Sequence, residues 1–281
     1  MKLVSSGGKS ASKKPRSNSA DYASILEDRK YLLWANDDFF LQEAYKTLRT
    51  NLSFSLAEVE GCKVIAVTSS TQGEGKSTTA ANLAMSLAEL GRKVILLDCD
   101  LRKPKQGQLL NVYSAIGLTD VLLDLSLLDS AIVHYKDAGS EQKEDLAVLV
   151  SGSIPPNPSE LLGSMKMYHL VQTLRQSYDY VILDTPPVSM VTDAAVLTGL
   201  VDGVLLVVRA NKADRRTLQY AIEQLEMTKA KVLGYVFNGI AQTSGSYGYK
   251  KRYGYGYGYG YGYGYQSSSK SGKSKTASSG K

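Results

Sequence analysis

The sequence predicts an α/β fold, a mostly parallel sheet flanked by helices on both faces. Six short apolar runs, at 64–68, 93–97, 146–150, 180–183, 203–208 and 232–237, alternate with helical patterns. The first run leads into a glycine-rich segment that opens a helix. Two later runs end in aspartate, which a parallel sheet brings to one common edge.

The chain has 281 residues and opens on a Ser-, Lys- and Gly-rich stretch with almost nothing to bury. Residues 1–30 read as a flexible basic arm. Lys2, Lys9, Lys13, Lys14 and Arg16 precede the first acid, Asp21, and seven cations with no acid follow residue 242. The formal net charge of +6 therefore hides a mildly acidic middle between basic ends. Such ends suit acidic partners, anionic lipid headgroups or nucleic acid; solvated tails that keep the chain soluble are the plainer alternative. Nothing resembles a zinc-finger or RNA-recognition reader, and no nucleic-acid partner is expected. Cys62 and Cys99 are too few for a disulfide framework, so reduced thiols are expected. No run reaches the roughly 18 apolar residues of a membrane span, and no signal peptide is evident.

From 22 to 40 the chain gains aromatics, and 39–56 then reads as a helix. Leu41, Ala44, Tyr45, Leu48, Leu52 and Leu56 follow helical spacing. Glu43, Lys46 and Arg49 form an adjoining strip. On the residues alone, an ordinary solvated amphipathic helix is the plainer reading of that strip, ahead of an interface.

Next comes Ser69-Ser70-Thr71-Gln72-Gly73-Glu74-Gly75-Lys76-Ser77-Thr78, between the first strand and a helix at 79–90. Strand, glycine loop and helix together make a phosphate site. Successive backbone N–H groups form an anion nest, and the helix start adds its own. Gly73, Glu74, Gly75, Lys76, Ser77 and Thr78 would cradle a nucleotide, with Lys76 on the β/γ-phosphates and the Ser77 hydroxyl on Mg²⁺. The strict pattern G-x-x-x-x-G-K-S/T has glycine where this chain has Ser70.

Strand 93–97 runs into Asp98-Cys99-Asp100-Leu101-Arg102-Lys103-Pro104. Two carboxylates one residue apart at a strand's carboxyl end face the ligand edge of the sheet. Cys99 between them is expected to be a small side chain in a tight place, since two carboxylates disfavour a thiolate. Residues 105–145 carry little pattern beyond a short helix at 119–125. Residues 151–158 are turn-rich, and 159–178 reads as one helix. Strand 180–183 ends in Asp184-Thr185-Pro186-Pro187, an acid where phosphate-loop enzymes hold Mg²⁺. A helix at 214–227 precedes the last strand, which stops at Asn238. His134 and His169 are given no role.

Beyond 242 the composition changes. Nine of the chain's 19 tyrosines, Tyr247, Tyr249, Tyr253, Tyr255, Tyr257, Tyr259, Tyr261, Tyr263 and Tyr265, fall within 19 residues and largely alternate with glycine. Glycine at half the positions leaves a strand little to pack, so a flexible low-complexity tail is expected. Self-association is one reading of it. An array of phosphorylation sites is the other, each phosphate adding about −1.5 to −2 charges.

Taken together, these motifs resemble the bacterial protein-tyrosine kinases that serve capsule or exopolysaccharide synthesis. The resemblance rests on 69–78, on Leu96–Pro104 and on Val181–Pro187, with Pro-Pro-Asn-Pro-Ser-Glu-Leu-Leu at 155–162 and the tyrosine cluster beside them. It implies a P-loop NTPase fold of the deviant-Walker, partition-ATPase-like type, and Ser70 fits the family's own variant of the loop. The chain then divides into an arm (1–30), a kinase domain (31–242) and an autophosphorylation tail (243–281). ATP and Mg²⁺ are the implied cofactors, with Lys76, Asp98, Asp100 and Asp184 as catalytic residues. Ser77, Asp100 and Asp184 would hold the metal. Asp98 is the candidate to polarise the tyrosine hydroxyl, whose pKa is near 10, and Asn238 resembles an adenine-contacting residue. Glu43, Lys46 and Arg49 match the family's E-x-x-R-x-x-R helix, which assembles a ring of subunits. Lysine here replaces the first arginine and loses its bidentate fork. The family further implies a cytoplasmic protein recruited to the membrane by an adaptor of the polysaccharide co-polymerase type, and a cognate tyrosine phosphatase. The alternative is a septum-site or chromosome-partitioning ATPase without kinase activity. Such proteins usually carry an extra lysine early in the loop, where this chain has Ser69 to Gln72, and they lack a tyrosine array.

Overall fold

A computed structural model describes residues 25–36, 38–136 and 145–239. Its seven strands are β1 (Lys63–Ser69), β2 (Val94–Asp98), β3 (Val133–Lys136), β4 (Asp145–Leu149), β5 (Tyr180–Asp184), β6 (Gly203–Arg209) and β7 (Val232–Asn238). They form one sheet in the order β3-β4-β2-β5-β1-β6-β7. Every pairing is parallel except β3 with β4. The longer helices are α1 (Phe39–Ser55), α2 (Lys76–Ala88), α3 (Met165–Ser177) and α4 (Arg215–Met227).

Both faces of the sheet are covered, which is why its strands read as continuous apolar runs rather than alternating ones. Along β1, Val64 and Ala66 pack on one side with Leu170 and Leu174 of α3 and Leu225 of α4. Ile65 and Val67 pack on the other with Leu83 and Met85 of α2 and Leu52 of α1. Small side chains let α2 lie close to the sheet: Ala80, Ala81 and Ala84 are fully buried. On its outer side α2 carries α1, where Arg49 donates to the Ser86 carbonyl at 2.5 Å and approaches Glu89 at 3.4 Å. Asp38 starts α1 by accepting from the amides of Phe40 and Leu41, at 2.8 and 3.2 Å.

The structure corrects the sequence reading in four places. The sheet has a seventh strand, β3, antiparallel at the edge. Its sequence, Val-His-Tyr-Lys, alternates between half-buried and exposed and shows no apolar run. The helix expected over 159–178 is two, Pro158–Leu162 and Met165–Ser177. Gly163 ends the first, and the Ser164 side chain caps the second by accepting from the Met167 amide. Helix α2 begins three residues earlier than expected, because left-handed Gly75 (φ 95°) caps it and accepts from the Thr79 amide at 2.8 Å. The end of the arm is built into the fold. Ile25 is buried there, and just beyond the arm Leu32 and Leu33 are buried too, with Asn82 of α2 binding the Leu33 amide (2.9 Å) and the Tyr31 carbonyl (2.7 Å). The rest of the arm and all nine tail tyrosines lie outside the described residues.

Candidate active site

Parallel strands place β1, β2 and β5 side by side with their carboxyl ends together, Asp98 level with Asp184 and Val67 level with Asp184. The loop after β1 turns through left-handed Gly73 (φ 79°) and Gly75 (φ 95°). A Cβ on Gly75 would lie 2.0 Å from Asn238 Nδ2, and one on Gly73 would lie 2.4 Å from Lys212 Nζ. Only glycine fits either place.

Ser70 has a structural job. Its amide and hydroxyl donate to the Glu74 carboxylate at 3.1 and 2.7 Å, and the Thr71 hydroxyl adds a third bond at 2.8 Å. Glu74 is completely buried, so its side chain braces the loop from inside and leaves its backbone for a phosphate. Asn238 does related work from β7, donating to the Glu74 carbonyl at 3.0 Å. Arg209 at the end of β6, and Lys212 just beyond it, both reach the Gly73 carbonyl at 3.3 Å.

Lys76 is the hub of the acidic cluster. Its ammonium lies 2.8 Å from Asp100, 3.2 Å from Asp184 and 3.3 Å from the Ser77 hydroxyl. Burial alone would lower its pKa, but Asp184 and Asp100 outweigh burial and hold it above the ordinary lysine value. Asp98 is set apart from this clamp. Its carboxyl accepts from the amides of Lys105 and Gln106 at 2.9 Å each and of Asp100 at 3.3 Å, and is 1% exposed. Burial and then Asp184 push its pKa up to about 8, against the pull of the Gln106 amide and Lys76. Cys99 is fully buried, and burial raises its thiol well above the usual value, which leaves it inert.

Gln106, in the weakly patterned region, belongs to the site without any local sequence signal. It is fully buried and donates to Asp184 (2.8 Å) and to the Ser77 carbonyl (3.0 Å). Its Oε1 has no hydrogen-bond partner among the described residues. The Ser77 hydroxyl, Asp100 and Asp184, all gathered around Lys76, make an all-oxygen set of the hard kind Mg²⁺ takes, and the orphaned buried oxygen of Gln106 lies on a side chain bonded to two of these residues. Among the described residues no three His, Cys or acidic side chains form a complete metal cage. Mg²⁺ on a nucleotide needs none, since one or two carboxylates plus phosphates suffice.

The phosphate cleft over this cluster has a volume of about 180 Å³. Lys76, Lys103, Lys105, Arg209 and Lys212 line it against Asp28 and Asp100. Asp28 belongs to the described end of the arm. A larger cleft of about 580 Å³ lies at the strands' amino ends, near Arg92, His134 and Asp145, away from this chemistry. The segment after β2 is held to the rest by Arg102, which grips Asp193 through two bonds of 2.9 Å, while the Ser159 hydroxyl donates to the same carboxylate. The 155–162 motif thus supports the second acidic motif. On α1, Glu43 and Lys46 pair with each other at 2.7 Å, while Arg49 is committed to α2.

Comparison with known proteins places this geometry. Residues 62–233 match the AAA domain family. Tyrosine-protein kinase YwqD of Bacillus subtilis (strain 168) is 43% identical over 208 residues, 74% of this chain and 85% of that protein. Among solved structures, the kinase domain of Escherichia coli tyrosine kinase ETK matches with a TM-score of 0.66 at 34% identity, over 74% of this chain and 80% of that one. The septum site-determining protein MinD complexed with Mg-ADP from Pyrococcus horikoshii OT3 shares the fold alone, at 24% identity and a TM-score of 0.50, over 63% of this chain and 70% of that one. The two kinases thus cover more of this chain, at higher identity, than the septum site-determining protein does. The chain belongs to the bacterial tyrosine-protein kinase family.

Proposed function

We propose that this kinase phosphorylates the tyrosines between 247 and 265 on neighbouring copies of itself and so regulates capsule or exopolysaccharide synthesis. The observation that carries the proposal is the nine-tyrosine cluster on a chain whose phosphate cleft is walled by five cations. Phosphoryl transfer asks chiefly for positioning and charge stabilisation. Lys76 and the loop amides hold the β/γ-phosphates. Ser77, Asp100 and Asp184 would hold Mg²⁺, positioned by Gln106 through Asp184 and the Ser77 carbonyl, and the ion when bound would neutralise charge on the phosphates. Asp98 accepts the backbone amides of Asp100, Lys105 and Gln106, so we assign it to holding the segment 100–106 rather than to polarising the acceptor. Asn238 and Glu74 brace the loop, and Asn238, at the end of the last strand, is the residue we assign to contacting the adenine.

A ring built through α1 would feed one copy's tail to the next copy's cleft. Its support is that the helix exposes apolar side chains at both ends, Phe39 (68%) and Phe40 at its start and Phe54 (75%) near its finish. Among the described residues no helix is long and apolar enough to cross a membrane. We assign recruitment to the inner face of the membrane to an adaptor of the co-polymerase type, and resetting of the tail to a tyrosine phosphatase. The test of transfer between copies mixes wild type with isotope-labelled Lys76→Met chain and Mg-ATP. Phosphotyrosine on the labelled chain is the expected result. Modification confined to unlabelled chains would leave only transfer within one chain.

A further inference from the structure

A second, smaller cleft of about 90 Å³ adjoins the phosphate cleft, lined by Gln72, Asp100, Arg102, Lys103, Pro186, Pro187, Met190 and Val191. Gln72, Asp100 and Lys103 border both clefts. One is basic and carries the phosphate loop. The other is floored by two prolines, a valine and a methionine. We propose that this second groove seats the phenol ring of the acceptor tyrosine, with Lys103 the cation that meets the phosphoryl group as it crosses between the clefts. The proposal rests on the tyrosine-kinase assignment and deepens it by naming where the acceptor sits.

Four observations carry it. First, the wall is fixed relative to the phosphates. The Pro186 carbonyl accepts from Thr68 at 2.8 Å, the Val188 amide donates to Ser69 at 3.0 Å, and the Ser189 hydroxyl donates to the Ser70 carbonyl. Strand β1 and its loop therefore position both clefts. Second, Met190 is 61% exposed, although its flexible apolar side chain is suited to closing over a ring. Third, the size is on the order of one aromatic ring, given that an enclosed apolar cavity of about 150 Å³ takes benzene. Fourth, the two cations of the groove differ in commitment. Arg102 is spent on Asp193, whereas Lys103 Nζ meets the neutral Gln72 Oε1 at 2.9 Å and makes no ion pair among the described residues. A neutral partner is easily exchanged for a phosphoryl oxygen.

In the transfer, the phenol oxygen forms a bond to the γ-phosphorus. The bond from that phosphorus to the bridging oxygen breaks, its electron pair leaves on ADP, and the phenolic proton is released to water. A seryl hydroxyl sits too near its own backbone to span the groove, so ring seating also explains selection for tyrosine.

The test uses the full chain, Mg-ATP and a synthetic peptide of residues 253–265, with a copy carrying phenylalanine at every tyrosine. Met190→Glu is expected to raise the KM for the tyrosine peptide about tenfold or more, with kcat less affected and the nucleotide Kd unchanged. The phenylalanine peptide should compete in wild type and lose that competition in Met190→Glu. Lys103→Met is expected to lower kcat by about 100-fold with little change in peptide KM, and Lys103→Arg to restore much of it. Met227→Glu, an exposed apolar position on α4, controls for surface charge and should behave as wild type. If Met190→Glu fails to bind nucleotide, Met190→Ser is judged by the same KM. An unchanged peptide KM in a variant that binds nucleotide overturns the groove. A wild type that makes no phosphotyrosine overturns the kinase assignment instead.

Discussion

Two residues of the site show how local constraint becomes function. Gly75 is left-handed and lies against Asn238, so Gly75→Ala meets both a backbone penalty of about 1–2 kcal/mol and a collision. Nucleotide affinity is expected to fall about tenfold or more, and Asn238→Ala should recover part of it by removing the collision. Calorimetric titration of both variants and the double variant checks this. Asp98 makes the second case, through pH. Its pKa is about 8 in the folded chain and about 4 when unfolded, so the folded chain keeps a proton that the unfolded chain sheds. Stability of the nucleotide-free protein should then fall as pH rises from about 4 to about 8. Lys76, Asp100 and Asp184 share this field. Asp98→Asn can still accept the two amides and should flatten the slope, as read by urea unfolding at pH 5 and pH 8. Neither residue's surroundings were readable beforehand. The motif pointed to Asp98, but the amides of Lys105 and Gln106 that consume it come from a stretch without periodicity. Arg209, by contrast, was within reach, since a cation at a strand's carboxyl end is the same signal as the acids at Asp98 and Asp184.

At the scale of elements, the parallel core was the legible part, because strands buried on both faces announce themselves as unbroken apolar runs. Edge strand β3 buries one side only and over four residues, too little for a pattern to show. The break at Gly163-Ser164 had a signal, a glycine before a capping serine, that a helical reading of 159–178 passed over. Helix α1 carries the element-scale prediction. Arg49 ties it to α2 through the Ser86 carbonyl and Glu89, so Arg49→Ala is expected to cost about 1.5–3 kcal/mol of stability. Lys46 is half exposed and paired only with Glu43 on its own helix. Lys46→Arg should therefore strengthen association through α1 without changing the melting temperature. Light scattering over a concentration series, beside thermal melts, separates the two effects.

For the whole molecule, charge is the quantity that the proposed phosphorylation would change most. The segment after 242 begins with seven cations and no acid. Seven phosphates would bring about −10 to −14 charges, enough to reverse its sign. The phosphorylated protein is expected to have a smaller mass in solution than the unphosphorylated one at low salt, with the difference shrinking as salt screens the tails. On the proposed function, sheet, phosphate loop and strand-end acids carry the kinase chemistry in the middle of the chain, and the tail supplies its first acceptor. The most direct test is mass spectrometry of the tail after incubation with Mg-ATP, wild type beside Lys76→Met, repeated with the cytoplasmic segment of the membrane adaptor. Phosphotyrosine between Tyr247 and Tyr265 in wild type, and none in the variant, is the predicted result. ATP hydrolysis with an unmodified tail, adaptor present, would contradict it.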